Sequence, residues 1–349
     1  MSKVVAVTGG AGFIGGEFVQ QLNADPEVSE IKIIDISFPD YKLEPKMKYY
    51  YGNVSDLARL INLFKGVDEV YDNVGLLGTH DTEELGAYPF SAAQVNNIGF
   101  LNQIQAAEMC GIKKFFHQTK DLFFNEYENT YTFTKKAAEL YAFWARYTGR
   151  LNVTVATYFN ASGYRQHLGP IRKLFPLVTV QALLGLDLTI YGTGNQTLDA
   201  VHPTDLVRAA ILLTKHDDGN KEVNKIYDIG TGQRISVNEL CDKIIEFSGS
   251  DSKKVYLPMR QGEKADAVLE ANVDDVRMLE EKYGFKCEKS TDEIITEYIE
   301  YYRTQVDPVY VYNCLKYFQD TYGKFKKDGV EVDIADYSVL DIKRLLRGF

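Results

Sequence analysis

Three glycines limit what the first part of this chain can build. Gly9, Gly12 and Gly15 recur every third residue in TGGAGFIG, residues 8–15. The run before them, residues 3–8 (KVVAVT), is short, apolar and β-branched, which reads as a buried strand. From residue 13 to 23, apolar residues fall at helical spacing. A glycine turn between strand and helix allows a tight reversal and lets backbone approach a ligand closely. The helix that follows offers unpaired N–H groups and the positive end of its dipole to a pyrophosphate. Asp35 stands 20 residues beyond Gly15, at the end of a second apolar run, residues 31–36. An acid there accepts ribose hydroxyls and repels a 2′-phosphate, so the pattern predicts a dinucleotide site that selects NAD over NADP.

Further apolar runs at residues 67–74, 113–118 and 152–158 read as strands, and 56–65 and 97–109 as helices between them. Strands alternating with helices predict an α/β fold: a Rossmann-type doubly wound parallel sheet with a smaller C-terminal α/β substrate lobe. The length of 349 residues suits about two domains. Residues 1–162 read as the NAD-binding domain. Residues 199–230 return to it through a helix at 204–214 and a strand at 226–229. Residues 163–305, where Gly, Pro and turn signals increase, read as the discontinuous second lobe. Residues 306–349 form an aromatic, mixed-charge extension with a helix over 310–326.

Composition narrows the partners. With 39 Lys plus Arg against 49 Asp plus Glu, the net charge is −10, a sign that does not attract nucleic acid or an anionic membrane. No apolar run approaches the ~20 residues of a membrane span, and MSKVVAVTGG lacks a signal-peptide layout. The four cysteines contain no CxxC and the five histidines no HxxxH, so neither a metal site nor a disulfide framework is expected. The compartment that fits is a reducing cytoplasm.

Tyr131 and Lys135 are four apart in a helical segment and so share a face. A phenol of pKa about 10 is a poor base near neutrality, and an adjacent ammonium lowers it. Thr119, just after the strand at 113–118, is placed to hydrogen-bond a substrate hydroxyl or carbonyl. The three suit proton removal from an alcohol as a nicotinamide takes a hydride. Two other YxxxK pairs, Tyr312/Lys316 and Tyr322/Lys326, lie in the tail with no glycine turn nearby and read as surface spacing.

These motifs, in this order from Lys3 to about Tyr302, resemble the extended short-chain dehydrogenase/reductase family, which acts on nucleotide sugars. TGGAGFIG is similar to the family's cofactor turn. GNVSD (52–56) resembles its adenine-contacting segment, here Asn53 and Val54. QTKDLFF (118–124) takes the place of its Ser/Thr strand end, and TYTFTKKAAE (130–139) resembles YxxSKxxxE. YFNASG (158–163) is similar to the YFNxxG of UDP-galactose 4-epimerase-like members, and RQGE (260–263) to RxGD. The resemblance implies catalytic Thr119, Tyr131 and Lys135. It implies that NAD meets Gly9, Gly12, Phe13, Ile14, Gly15, Asp35, Asn53, Val54, Asn73, Gly75, Tyr131, Lys135 and Tyr158. It implies that a nucleotide-diphosphate sugar meets Thr119, Asn160, Arg260 and Glu263, and that the protein is a homodimer.

Departures from the family pattern bear on the reaction. Leu198 replaces the Arg of QxRD, and DNVGLLG (72–78) replaces the HxA-like segment, with Leu77 where some epimerases carry a lysine. The dehydratase-like pattern has an acid pair after the catalytic threonine; here it is Lys120–Asp121. Epimerisation through a transient 4-keto sugar needs no further group and is the expected reaction. The alternatives are a 4,6-dehydratase or decarboxylase using Asp121, another nucleotide-sugar oxidoreductase, or a non-catalytic NAD-binding sensor. His117 reads as a satisfied strand histidine, His202 and Asp205 as structural, Trp144 as core, and Asn96 as ordering either the central helix alone or the active site as well.

Overall fold

The computed structural model describes residues 2–77, 89–120, 130–217, 219, 222–260, 263–264 and 266–348. Seven strands hydrogen-bond side by side in one parallel sheet. They are β1 (Lys3–Thr8), β2 (Val28–Asp35), β3 (Met47–Tyr51), β4 (Glu69–Asp72), β5 (Lys114–Thr119), β6 (Val153–Tyr158) and, after four strands outside this sheet, β11 (Ile226–Ile229). Their order is β3-β2-β1-β4-β5-β6-β11, with every neighbouring pair parallel. The chain walks outward from β1 to β3, returns to β1's other side with β4, and continues to β11. That reversal opens a crevice at the carboxyl ends of β1 and β4.

Local chemistry sets the helices around the sheet. Helix α1 (Phe13–Ala24) starts at Gly12, which has no capping side chain. Helix α2 (Leu57–Phe64) is capped by Asp56, whose carboxylate accepts the Arg59 N–H at 2.9 Å. Helix α3 (Pro89–Ala93) leads through a π-helical turn, Gln94–Ile98, into α4 (Gly99–Met109). Helix α5 (Thr130–Tyr147) packs on β5 and β6 through Ala138, Ala142 and Ala145. Trp144 is not core as expected: it is 46% exposed, because the alanine face fills the side of α5 that meets the sheet. It shares the outer face with Phe133, Leu140 and Tyr147. Strand β3 (MKYYY) carries no apolar run and is half exposed at the sheet edge.

The chain divides into two compact units. The first comprises Met1–Phe159, Pro203–Gly232 and Ala271–Lys286. Its middle segment contributes α7 (Pro203–His216), which packs on α1, and β11. Segment 271–286, inside the lobe in the sequence reading, lies with the sheet. Its helix, numbered α9 (Val273–Tyr283), is latched there because Asp275 accepts the Asp228 N–H (3.0 Å) and pairs with Lys225 (2.5 Å).

The second unit comprises Asn160–His202, Gln233–Glu270 and Cys287–Phe349. Its short strands are β7 (Asn160–Ala161), β8 (Leu188–Tyr191), β9 (Thr197–Leu198), β10 (Ala200–Val201), β12 (Ile235–Ser236) and β13 (Lys254–Leu257), paired two by two. They combine with α6 (Leu174–Leu183), α8 (Val237–Ser248) and α10 (Thr291–Thr304). The tail belongs to this core. Helix α11 (Pro308–Tyr322), hairpin β14 (Phe325–Lys327) and β15 (Val330–Val332), and α12 (Val339–Arg347) bury Leu315, Phe318, Ile342 and Leu346 among Val178, Ile244 and Tyr298. Buried Asp187 pins the hairpin, accepting the N–H groups of Asp328 (3.2 Å) and Gly329 (2.8 Å). The four cysteines are unbridged. Among the described residues, no helix is long and apolar enough to cross a membrane.

If the tail is core, Phe318→Ala should cost about 3–5 kcal/mol of unfolding free energy. Chemical denaturation followed by circular dichroism checks this; an unchanged midpoint would make the tail peripheral.

Candidate functional site

The carboxyl edge of the sheet carries the candidate residues of the first unit. Gly9 follows β1 in the left-handed region (φ +69°), and its N–H donates to the Ile34 carbonyl at 2.9 Å. A Cβ on Gly9 would lie 2.7 Å from the backbone of Asn73, and one on Gly15 would lie 2.0 Å from the Gly9 oxygen. The turn therefore closes only with glycine at both places. Gly12 is exposed ahead of the uncapped first turn of α1, where Phe13 and Ile14 are half-buried. Asp35 braces the turn: one carboxylate oxygen accepts the Ala11 N–H and the other the Ser37 N–H, both at 3.0 Å. Asn53 is exposed beyond β3, its Oδ1 accepting the Ser55 N–H (2.9 Å). Val54 is buried, and its carbonyl accepts from the Asn102 amide (3.0 Å).

Asn73 and exposed Gly75 continue from β4. Asn73 Oδ1 and the Tyr158 hydroxyl at the end of β6 are both buried, with no hydrogen-bond partner among the described residues. Burial holds the Tyr158 phenol far above its ordinary pKa. An orphaned acceptor beside a glycine turn and an uncapped helix, with an orphaned hydroxyl farther along the same sheet edge, are groups that a dinucleotide fits. Asn96 sits in the π-helical turn and joins two elements. It exchanges hydrogen bonds with the Leu76 N–H (2.8 Å) and carbonyl (3.2 Å) and donates to the Thr134 hydroxyl (2.9 Å).

Thr119 ends β5, and Tyr131 and Lys135 lie on the buried face of α5; they are 8% and 1% exposed. Burial pushes the Tyr131 phenol up to about 12. Burial also pushes Lys135 down to about 8, against the attraction of Asp72 and Glu139. The lowered tyrosine expected from the four-residue spacing is thus not found in the chain alone: desolvation governs both groups. The Thr119 hydroxyl donates to Glu139 (2.9 Å), which is also paired with Lys136 (2.8 Å). The Lys120 ammonium lies 5.9 Å from the centre of the Tyr131 ring. Asp121 falls outside the described residues.

Sequence reasoning missed the polar cluster around Asp72. Asp72 accepts from Gln103 (3.0 Å), the Val74 N–H (3.1 Å), Thr8 (3.1 Å) and His117 Nδ1 (2.8 Å). The signal was there in DNVGLLG, where an acid begins the segment.

In the second unit Arg260 pairs with Glu263 (2.5 Å) and lies 4.7 Å from the centre of the Tyr191 ring. Arg172 lies over the same ring at 5.5 Å and over Tyr322 at 3.4 Å. Lys173 follows it at the start of α6, its pKa lowered by burial. Arg172 and Lys173 had no motif to reveal them. Asn160 lies in β7, which pairs with β10. Leu198 is buried in this unit's core. His202 contacts Glu297 at 2.8 Å and stacks on Tyr164, and in the first unit Asp205 pairs with Arg208 at 2.7 Å.

The model of the NAD dependent epimerase/dehydratase family matches residues 5–230. The chain belongs to that family. As a member it is an NAD-dependent enzyme. A UDP-N-acetyl-alpha-D-glucosaminuronate decarboxylase of Bacillus cytotoxicus is 27% identical over 334 residues, 87% of this chain and 98% of that protein. A UDP-glucose 4-epimerase of Lacticaseibacillus casei is 26% identical over 312 residues, 78% of this chain and 93% of that protein. The crystal structure of UDP-glucose 4-epimerase from Thermotoga maritima with UDP-glucose matches at a TM-score of 0.72 and 27% identity. It covers 86% of this chain and 98% of that one. The parallel sheet is thus the Rossmann-type sheet of the epimerase/dehydratase family.

In this epimerase/dehydratase Gly15→Ala should lower NAD affinity by more than about tenfold, since backbone must shift to admit the methyl group. Titration calorimetry with NAD checks this. Unchanged affinity would place the cofactor away from the turn.

Proposed function

We propose that the protein is an NAD-dependent nucleotide-sugar 4-epimerase that works through a transient 4-keto sugar. When bound, NAD supplies the acceptor, and then the donor, of the hydride at C4 of the sugar. Gly9, Gly12 and Gly15 admit its pyrophosphate, with the N–H groups at the start of α1 facing the anion. Asp35 receives the ribose hydroxyls with the acceptor capacity left after bracing the turn.

Tyr131 removes the proton of the C4 hydroxyl and later returns it. A phenol pushed up to about 12 by burial cannot do this unaided. The Lys135 ammonium on the same face favours the phenolate. Thr119 commits its proton to Glu139 and so presents lone pairs to the sugar hydroxyl. In the second unit Asn160 and Arg260 hold the diphosphate and Glu263 the nucleotide ribose. Arg172 and Lys173 add positive charge that Leu198 does not supply.

One observation carries the choice of epimerisation over dehydration: Lys120 follows Thr119 directly, with its ammonium over the Tyr131 ring. The dehydratase-like pattern needs an acid there to protonate a leaving hydroxyl. Epimerisation needs only Tyr131, Lys135 and room for the keto sugar to turn.

Incubation with NAD and a panel of UDP- and dTDP-sugars, followed by chromatography and mass spectrometry, tests this reading. An isomer of unchanged mass is expected, and Tyr131→Phe should slow its formation by about 10²–10⁴-fold while NAD affinity holds. Loss of water would make the enzyme a dehydratase and loss of carbon dioxide a decarboxylase. Unaltered turnover in Tyr131→Phe would remove Tyr131 from catalysis.

A further inference from the structure

Residues 163–172 lie between β7 and α6, contain no helix or strand, and end in Arg172. Two guanidinium groups meet at that end. The Arg172 guanidinium lies 3.4 Å from the centre of the Tyr322 ring and 5.5 Å from that of Tyr191. The Arg260 guanidinium lies over the same Tyr191 ring at 4.7 Å and pairs with Glu263 at 2.5 Å. Lys173 follows Arg172 in the chain. Burial lowers its pKa, and among the described residues no carboxylate raises it back. Lys173 also opens α6, whose first turn no side chain caps. Like charges sharing one ring, beside an uncapped helix start, are stabilised by an anion.

A stretch with no helix or strand of its own keeps its shape through ties to its neighbours. Two later helices supply them. From α10, the buried Tyr298 hydroxyl accepts the Gly163 N–H at 2.9 Å and donates to Gln166 Oε1. From α11, the Tyr310 hydroxyl accepts the Gly169 N–H at 3.1 Å. Cys314 and Phe318 press on the same glycine: a Cβ there would lie 2.9 Å from the Cys314 Sγ and 3.4 Å from the Phe318 ring. Tyr322 then lies on Arg172. Residues 310, 314, 318 and 322 are four apart and make one ridge of α11, running along the stretch from Gly169 to Arg172.

Tyr322 differs from the rest of the ridge. It is half-buried at the last residue of α11 and gives its ring to a charged group. At 3.4 Å the guanidinium can lie only over the face of the ring. Stacking of this kind uses the flat face of arginine and leaves its N–H bonds, which lie in its plane, directed away from the ring. An arginine held in one orientation before a ligand arrives loses less conformational freedom on binding it.

We propose that Tyr322 is a positioning residue for the substrate: it holds Arg172 in the orientation that binds the diphosphate of the nucleotide sugar, and so makes the C-terminal extension part of the substrate-binding apparatus. Tyr322 touches no reacting atom and acts through Arg172. This deepens the proposed function and rests on its assignment of Arg172 to the anionic part of the substrate. The region matched by the family model ends at residue 230, so Tyr322 belongs to a part of the chain beyond it. The Tyr322/Lys326 pair, which reads as surface spacing in the sequence, thereby gains a use for its tyrosine.

Calorimetric titration of the full chain, saturated with NAD, against UDP and against dTDP reads this without turnover. Tyr322→Ala should weaken binding of the tighter of the two by about tenfold, and Arg172→Ala by at least as much. Tyr322→Phe keeps the ring face and should stay within about twofold of wild type. Tyr322→Leu keeps apolar bulk without a ring face and should behave as Tyr322→Ala does. In an Arg172→Ala background Tyr322→Ala should weaken binding no further, because Tyr322 acts only through Arg172. Wild-type affinity in Tyr322→Ala overturns the proposal, as does full additivity of the two substitutions. So does wild-type affinity in Tyr322→Leu, which is readable even if Tyr322→Ala does not fold. Where wild type binds UDP or dTDP and the Tyr322 variants bind it equally, this inference fails alone. Where wild type binds neither, the nucleotide-sugar reading fails and takes this proposal with it. A dehydrated or decarboxylated product from the sugar panel leaves the result untouched.

Discussion

A methyl group on Gly15 would come within 2.0 Å of the Gly9 carbonyl oxygen, and one on Gly9 would press on the backbone of Asn73. Most of the active-site edge follows from those two close approaches. The first lets α1 begin directly above the end of β1, with its free N–H groups facing the crevice. The second brings the strand end carrying Asp72 and Asn73 against the turn. The reversal of strand order between β1 and β4 then places Asp35 on one side of the crevice and Thr119 and Tyr158 on the other.

Burial is the second governing condition. It raises Tyr131 and lowers Lys135, which for a tyrosine base and a lysine cation are the unhelpful directions. Isolated buried charges cost several kcal/mol each, so such a pair is tenable only where other charges and donors compensate. Among the described residues two carboxylates attract Lys135: Asp72, bonded to Gln103, Val74 and His117, and Glu139, tied to Thr119 and Lys136. The proposed catalytic face is therefore a small electrostatic network rather than three isolated side chains. Its backing comes from the strand ends that also carry the cofactor edge.

Much of this was legible in the sequence because it depends on local rules. The glycine spacing, the apolar runs of β1, β2, β5, β6 and β11, and the YxxxK face each follow from residues near one another in the chain. What escaped depends on distant contacts. Strand β3 is a Tyr- and Lys-rich edge strand whose pattern carries no apolar signal. Trp144 looked like core by residue type, but its position on α5 turns it away from the sheet. Arg172 is held by Tyr191 and Tyr322, so no local motif marks it. The tail has polar and aromatic residues in mixture, and only the packing of Leu315, Phe318 and Leu346 reveals it as core. Asp72 and His117 are 45 residues apart, and only strand register joins them.

A chain of net charge −10 gives anionic ligands no long-range help. In the proposed function, binding of NAD and a nucleotide sugar then rests on local groups, the α1 terminus for one and Arg172, Lys173 and Arg260 for the other. The most direct test of the account follows one atom. The nucleotide sugar that the panel shows to be converted, deuterated at C4, is incubated with the enzyme and NAD, and the product is read by nuclear magnetic resonance. The account predicts the C4 epimer with deuterium retained at C4, carried away and returned at the same carbon. Deuterium at C6 or deuterium lost to solvent would contradict it.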